Sequence, residues 1–160
     1  MPDKNTIERA RKDKRQGKAA STQAGEFVRE EIHHIREGKH GARSTKQAIA
    51  IALSKARRAG VRLRVPAKGK ASAKTRRRAK LRSMRGSRGR PSARRSAATL
   101  RALRREGRGA ASNDALGRQA RQSAKKRGPR ARAAAALKAV RTKGPRARRA
   151  AARKAARTRA

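Results

Sequence analysis

Residues 30–40 read EEIHHIREGKH, where acids and histidines stand close enough to act together. His33 follows Glu30 by three places, His34 follows Glu31 by three, and Glu37 follows His33 by four. On a helix each pair is one turn apart, the spacing with which carboxylate and imidazole share a metal in di-iron helical bundles. Such centres need the motif on two helices and two further carboxylates, and nothing downstream supplies them. The expected role is a solvated polar face with helix-spaced ion pairs, without metal, cofactor or catalytic group. The chain has no cysteine, which removes thiolate nucleophiles, disulfides and zinc–thiolate sites. An enzyme is the least expected reading.

The remaining chemistry is electrostatic. Of 160 residues, 51 are Lys or Arg and 9 are Asp or Glu, a formal net charge of +42. There is a single Phe and no Trp or Tyr, and Ala, which buries little area, dominates the apolar fraction. High charge with few large apolar side chains predicts a chain that is largely disordered alone and meets polyanions wherever it goes. The charge is uneven. Residues 1–37 hold 9 basic and 7 acidic residues, whereas 38–160 hold 42 basic and 2 acidic.

The apolar residues able to define a core also lie early: Ile7, Phe27, Val28, Ile32, Ile35, Ile49, Ile51, Leu53, Val61, Leu63 and Val65. A mainly α fold follows, with a small helical hairpin head over 1–66 and a long basic tail, disordered or conditionally helical, over 67–160. Three head helices are predicted, at about 6–19, 22–37 and 44–59. The first has Asn5 as N-cap and only Ile7 as a large apolar residue, so it should fray. The second carries Ala24, Phe27, Val28, Ile32 and Ile35 on one stripe and ends at Gly38. The third has a Ser44–Gln47 capping box, an apolar face of Ala48, Ile49, Ala52, Leu53 and Ala56, and a stop at Gly60 with Val61 as its apolar contact. A core of about 40 residues is marginal for a monomer, so a homodimer burying Phe27, Ile32, Ile35, Ile49 and Leu53 is expected.

The tail alternates Ala/Arg/Lys stretches with breaks such as VPAKGKAS, GSRGRPS, EGRGAAS, KRGPR and TKGPR. Helix-competent stretches are 73–85, 96–106, 113–127, 130–143 and 146–159, with Ser96 and Ser112 as N-caps. Residues 128–143 and 144–159 are copies of one sixteen-residue unit that agree at 12 positions. Leu137 becomes Arg153 and Val140 becomes Ala156 in the second copy, while Arg130, Arg132, Lys138 and Arg141 persist as Arg146, Arg148, Lys154 and Arg157. Charge is retained where apolar volume is not.

Such a tail is suited to the phosphate backbone. Aromatic platforms for stacking single-stranded bases are absent, as is a Gly-rich loop followed by Lys-Ser/Thr. From Ala67 onward 25 Arg and 9 Lys would neutralise about 17 base pairs of duplex, at one phosphate per about 1.7 Å of axis. The expected phosphate-binding residues are Arg76, Arg77, Arg78, Arg94, Arg95, Lys125, Lys126, Arg127, Arg130, Arg132, Arg146, Arg148 and Arg149. Gln119 and Gln122 are the nearest thing to base-reading groups, and a polar helix face accounts for them better. Duplex DNA is the first partner expected and RNA, as for a ribosome-associated protein, the second. A third reading is a membrane-active helix with the stripe Ala133, Ala136, Leu137 and Val140. No secretory signal or transmembrane run is present, so the expected location is the cytoplasm, at the nucleoid.

The stretch GEFVREEIHHIREGKHGARSTKQAIAIALSKARRAGV resembles a small bacterial domain family of uncharacterised function. Its core is the run S-x-K-Q-A-I-A-I-x-L-S-x-A-R-x-A-G, here Ser44 to Gly60, after a Gly38–Gly41 turn. The resemblance covers roughly residues 1–66, implies a bacterial source and basic extensions, and brings no catalytic activity. By composition alone the tail resembles the histone-H1-like nucleoid proteins of bacteria, with Arg in place of most Lys and with little Pro. That resemblance implies coating and compaction of DNA.

Overall fold

In the computed structural model, residues 2–69, 71–85 and 92–158 are described, and every regular element among them is helical. The elements are α1 (Lys4–Arg15), α2 (Ala20–Arg36), α3 (Thr45–Arg58), α4 (Ala73–Arg85), α5 (Ala93–Arg104), a 3-10 turn at Gly109–Ala111, and α6 (Asn113–Arg157). They fall into two compact units, Met1–Leu116 and Gly117–Ala160.

The first unit is built on alanine. Along α3 the fully buried positions are Ala48, Ala52 and Ala56, every fourth residue, while Ile49, Ile51 and Leu53 are half-buried. Small side chains at that spacing let a second helix approach closely, and α2 packs there with Phe27 completely buried. Ser44 caps α3 as the sequence predicts: its Oγ accepts from the Gln47 N–H at 3.2 Å. The return arm reaches one residue further, since Gln47 Oε1 accepts from the Arg43 N–H at 2.9 Å. At Gly60 (φ 88°) the chain turns out of the helix, the Val61 N–H bonds the Ala56 carbonyl, and Val61 is buried as expected.

Two expectations are corrected by packing. The first of the three predicted head helices does not stand free to fray: α1 packs on α2, and it begins at Lys4, so Asn5 lies inside it rather than at its cap. Ile7 and Ala10 join the Phe27 cluster, and Arg9 Nε donates to Glu26 Oε2 at 2.6 Å. The proposed dimer face is also partly spent. Phe27 and Ile35 are 0% exposed within the single chain, so of the five residues only Ile32, Ile49 and Leu53 keep surface to offer.

A third feature has no counterpart in the sequence reading. The unit of dense packing runs on to Leu116, past the head expected at 1–66, because residues 103–113 return to α2 and α3. The Gly41 N–H donates to the Leu103 carbonyl at 2.9 Å and the Ala42 N–H to that of Gly107 at 3.1 Å. Thr45 Oγ1 donates to the Ala110 carbonyl at 2.7 Å, and Arg36 clamps the turn through Nε to the Ala111 carbonyl at 2.9 Å and Nη2 to Asn113 Oδ1 at 2.6 Å. Ala111, 0% exposed, completes a second small core with Ile35, Ala42 and Ala48. Gly41 permits this approach, since a Cβ there would run into the Glu106 carbonyl and stand 2.7 Å from that of Gly107. Gly41→Ala is expected to cost about 1–3 kcal/mol by overpacking against backbone. Hydrogen exchange would show it as lost protection of the Ala42 amide, and retained protection would refute the close fit.

Helix α4 packs on α3 with Ala79 buried, and α5 begins at Ala93, so Ser96 lies inside it rather than at its cap. The GSRGRPS break falls mostly on residues 86–91, outside the described residues, as does the repeat's last residue, Arg159. The second unit is helical, where a tail largely disordered or conditionally helical was expected. Non-helical geometry at Gly128 (φ 76°, ψ 167°) and Gly144 (φ 63°, ψ 169°), each before a proline, divides α6 into stretches at the predicted boundaries. Glycine accepts the positive φ that other residues resist, and proline then restarts the helix where its missing N–H is no loss. Ser112 Oγ caps the first stretch by accepting from the Ala115 N–H at 3.2 Å.

Candidate nucleic-acid interface and a buried charge cluster

The basic residues of 117–158 are solvent-facing wherever their side chains are described. Arg77, Arg78, Arg94, Arg95, Lys125, Lys126, Arg127, Arg130, Arg132, Arg146, Arg148 and Arg149 are all exposed. Arg76 is half-buried, its Nε donating to the Pro66 carbonyl at 3.2 Å, so it braces the chain entering α4. Residues 117–160 contain 17 basic and no acidic residues. Gln119 bonds Ser123 at 3.2 Å on its own helix, as a polar face would.

Helical geometry also gives the repeat a side. In the second copy Arg146, Arg149, Arg153 and Arg157 stand at i, i+3, i+7 and i+11, which places them on one face. The equivalent face of the first copy is Arg130, Ala133, Leu137 and Arg141. Two of the four substitutions between the copies therefore put arginine onto a face that already carried it. Leu137 is 59% and Val140 40% exposed, so among the described residues the apolar part of the first copy stays on the surface.

The 30–40 cluster departs most from expectation. His33 and Glu37 behave as predicted: His33 Nε2 lies 2.8 Å from Glu37 Oε1 at the surface. A hydrogen bond from Lys39 above all, helped by the charges of His33, Lys39 and His34, holds the Glu37 carboxyl below the usual carboxylate range against the opposing effect of desolvation. Glu30, Glu31 and His34 are not on a solvated face. They are 4%, 0% and 8% exposed, turned into the first unit by the same periodicity that buries Phe27 and Ile35. Lys55 of α3 supplies their counter-charge, with Nζ 3.2 Å from Glu30 Oε1 and 2.7 Å from Glu31 Oε2. Asp3, from the chain before α1, donates its N–H to Glu30 Oε2 at 3.3 Å and places Oδ2 3.1 Å from His34 Nε2. His40, from the turn after α2, brings Nε2 to 3.5 Å from Glu31 Oε1. Sequence spacing missed Asp3, His40 and Lys55 because they come from three other parts of the chain. Elsewhere burial alone pushes the Arg57 guanidinium down, and burial plus the charge of Arg82 does the same for Arg58.

No protein-family model matches the chain, and no curated protein or solved structure is significantly similar to it. No helix among the described residues is long and apolar enough to cross a membrane.

Proposed function

We propose that the chain is a non-enzymatic, sequence-nonspecific DNA-binding protein of the histone-like, nucleoid-associated kind. The observation that carries this reading is the density and one-sidedness of exposed arginine on the Gly-Pro-divided helices, above all Arg146, Arg149, Arg153 and Arg157 with no acidic residue nearby in sequence. Backbone phosphate binding needs many cations and no base-reading groups, and its strength comes from released counterions. Arginine adds bidentate geometry toward phosphate. The first unit, whose 44–60 run resembles the uncharacterised bacterial family, anchors such a tail. Two chains joined through the surface left at Ile32, Ile49 and Leu53 would bridge duplexes by avidity.

Like charges at helical spacing repel, so the tail helices gain stability when phosphates neutralise them. The full chain is therefore expected to bind mixed-sequence duplex DNA with a log–log salt slope steeper than about −10, and to gain helical circular dichroism on binding. A slope shallower than about −4, or strong preference for one duplex sequence, would sink the reading. Clear preference for structured RNA at matched salt would transfer it to RNA.

A further inference from the structure

Glu31, His34 and His40 form, we propose, a binding site for one divalent ion of the zinc class, inside the first unit and independent of the nucleic-acid reading. The argument begins with hydrogen-bond roles. His40 Nδ1 lies 3.2 Å from the Gly41 carbonyl oxygen, which only accepts, so Nδ1 carries the proton. The other ring nitrogen, Nε2, faces Glu31 Oε1 at 3.5 Å. A carboxylate oxygen has only lone pairs to offer in return. The pair therefore needs a positive centre, which is either a proton on Nε2 or a cation bound by both atoms.

Among the described residues no lysine or arginine pairs with Glu31 Oε1. Lys55 stands against the other oxygen, Glu31 Oε2, at 2.7 Å, but does not line up for a hydrogen bond. Among the described residues neither Glu31 oxygen has a hydrogen-bond partner, although Glu31 is 0% exposed. Glu30 is not short of partners, since Lys55 and the Asp3 N–H occupy its two oxygens. Charge is in keeping with a cation here: two buried carboxylates face one ammonium, and the balance falls to the histidines or to a bound ion.

Donor type and geometry then choose the ion. One atom from each of Glu31, His34 and His40 can be selected so that all lie within 4.8 Å of one another. Two imidazoles and a carboxylate are the donors of open zinc sites, which keep a fourth position for water. With bonds of about 2.0–2.1 Å in a tetrahedron, neighbouring donors stand roughly 3.4 Å apart, close to the Glu31–His40 separation. Both histidines also have the outer partners that metal-bound imidazoles require. Asp3 Oδ2 accepts from the His34 Nε2–H at 3.1 Å, which leaves Nδ1, 4.0 Å from Glu30 Oε1, as the ring's remaining donor atom, and the Gly41 carbonyl accepts from the His40 Nδ1–H.

The test is a Co²⁺ titration of the chelator-stripped, full-length protein, followed by its visible ligand-field band and by displacement with Zn²⁺. One equivalent should saturate the band. His40→Gln should abolish it, with far-UV circular dichroism confirming that the variant is folded, while His33→Gln should leave it unchanged. Asp3→Asn, at a residue that is mostly exposed, should weaken Co²⁺ binding about tenfold or more. No saturable band in the native chain would overturn the proposal. So would a band that survives His40→Gln, one lost with His33→Gln, or an affinity indifferent to Asp3→Asn.

Discussion

Lys55→Met is expected to destabilise the first unit by about 3–5 kcal/mol, the usual cost of leaving buried charge without its partner. The ammonium stands 3.2 Å from Glu30 Oε1 and 2.7 Å from Glu31 Oε2, and those carboxylates are 4% and 0% exposed. Without it, two adjacent carboxylates face each other in a core made mostly of alanine, too small to offset the loss. Thermal unfolding followed by circular dichroism should fall by more than about 10 °C. Adding Glu30→Gln and Glu31→Gln to the variant should recover most of the loss, since the cost lies in the orphaned charges and not in the missing methylene packing. An unchanged midpoint in Lys55→Met would show that water reaches the carboxylates.

The second large effect concerns the arginine face. Replacing Arg146, Arg149, Arg153 and Arg157 by Gln is expected to reduce the salt slope of DNA binding by about 3–4 units, at about 0.9 per phosphate contact. A fourfold rise in salt would then cost the variant about a hundredfold less affinity than it costs the native chain. In the converse experiment, Ala133→Arg with Leu137→Arg gives the first copy the face that the second already has, and should steepen the slope by about two. The control is four arginines from mixed faces: Arg121, Arg127, Arg132 and Arg148. An equal loss from that set would mean that total charge, and not the face, governs binding.

The helices were legible in the sequence because their determinants are local. The Ser44–Gln47 cap, the Gly60 stop with Val61, and the Gly128 and Gly144 interruptions each depend on residues a few places apart, and each stands where periodicity and turn chemistry put it. Local rules were weaker for burial. They placed Ile49 and Leu53 beside Ala48, Ala52 and Ala56 on one apolar face, whereas the helix–helix seam buries the three alanines fully and leaves Ile49 and Leu53 half-buried, because close approach rewards small side chains over large ones.

The sequence by itself determined the charge, its concentration after residue 37, and the sixteen-residue repeat that retains charge where it drops apolar volume. It determined these because composition and periodicity need no knowledge of distant neighbours. Only the tertiary structure decided which members of EEIHHIREGKH meet. Sequence spacing paired His33 with Glu30 and Glu37, yet packing exposes His33 and gathers Glu30, Glu31 and His34 with Asp3, His40 and Lys55. The same holds for residues 103–113, whose return to Gly41 depends on the absence of a single Cβ. Contacts over such separations are set by which helix faces are buried together, and that choice is made by the whole unit at once.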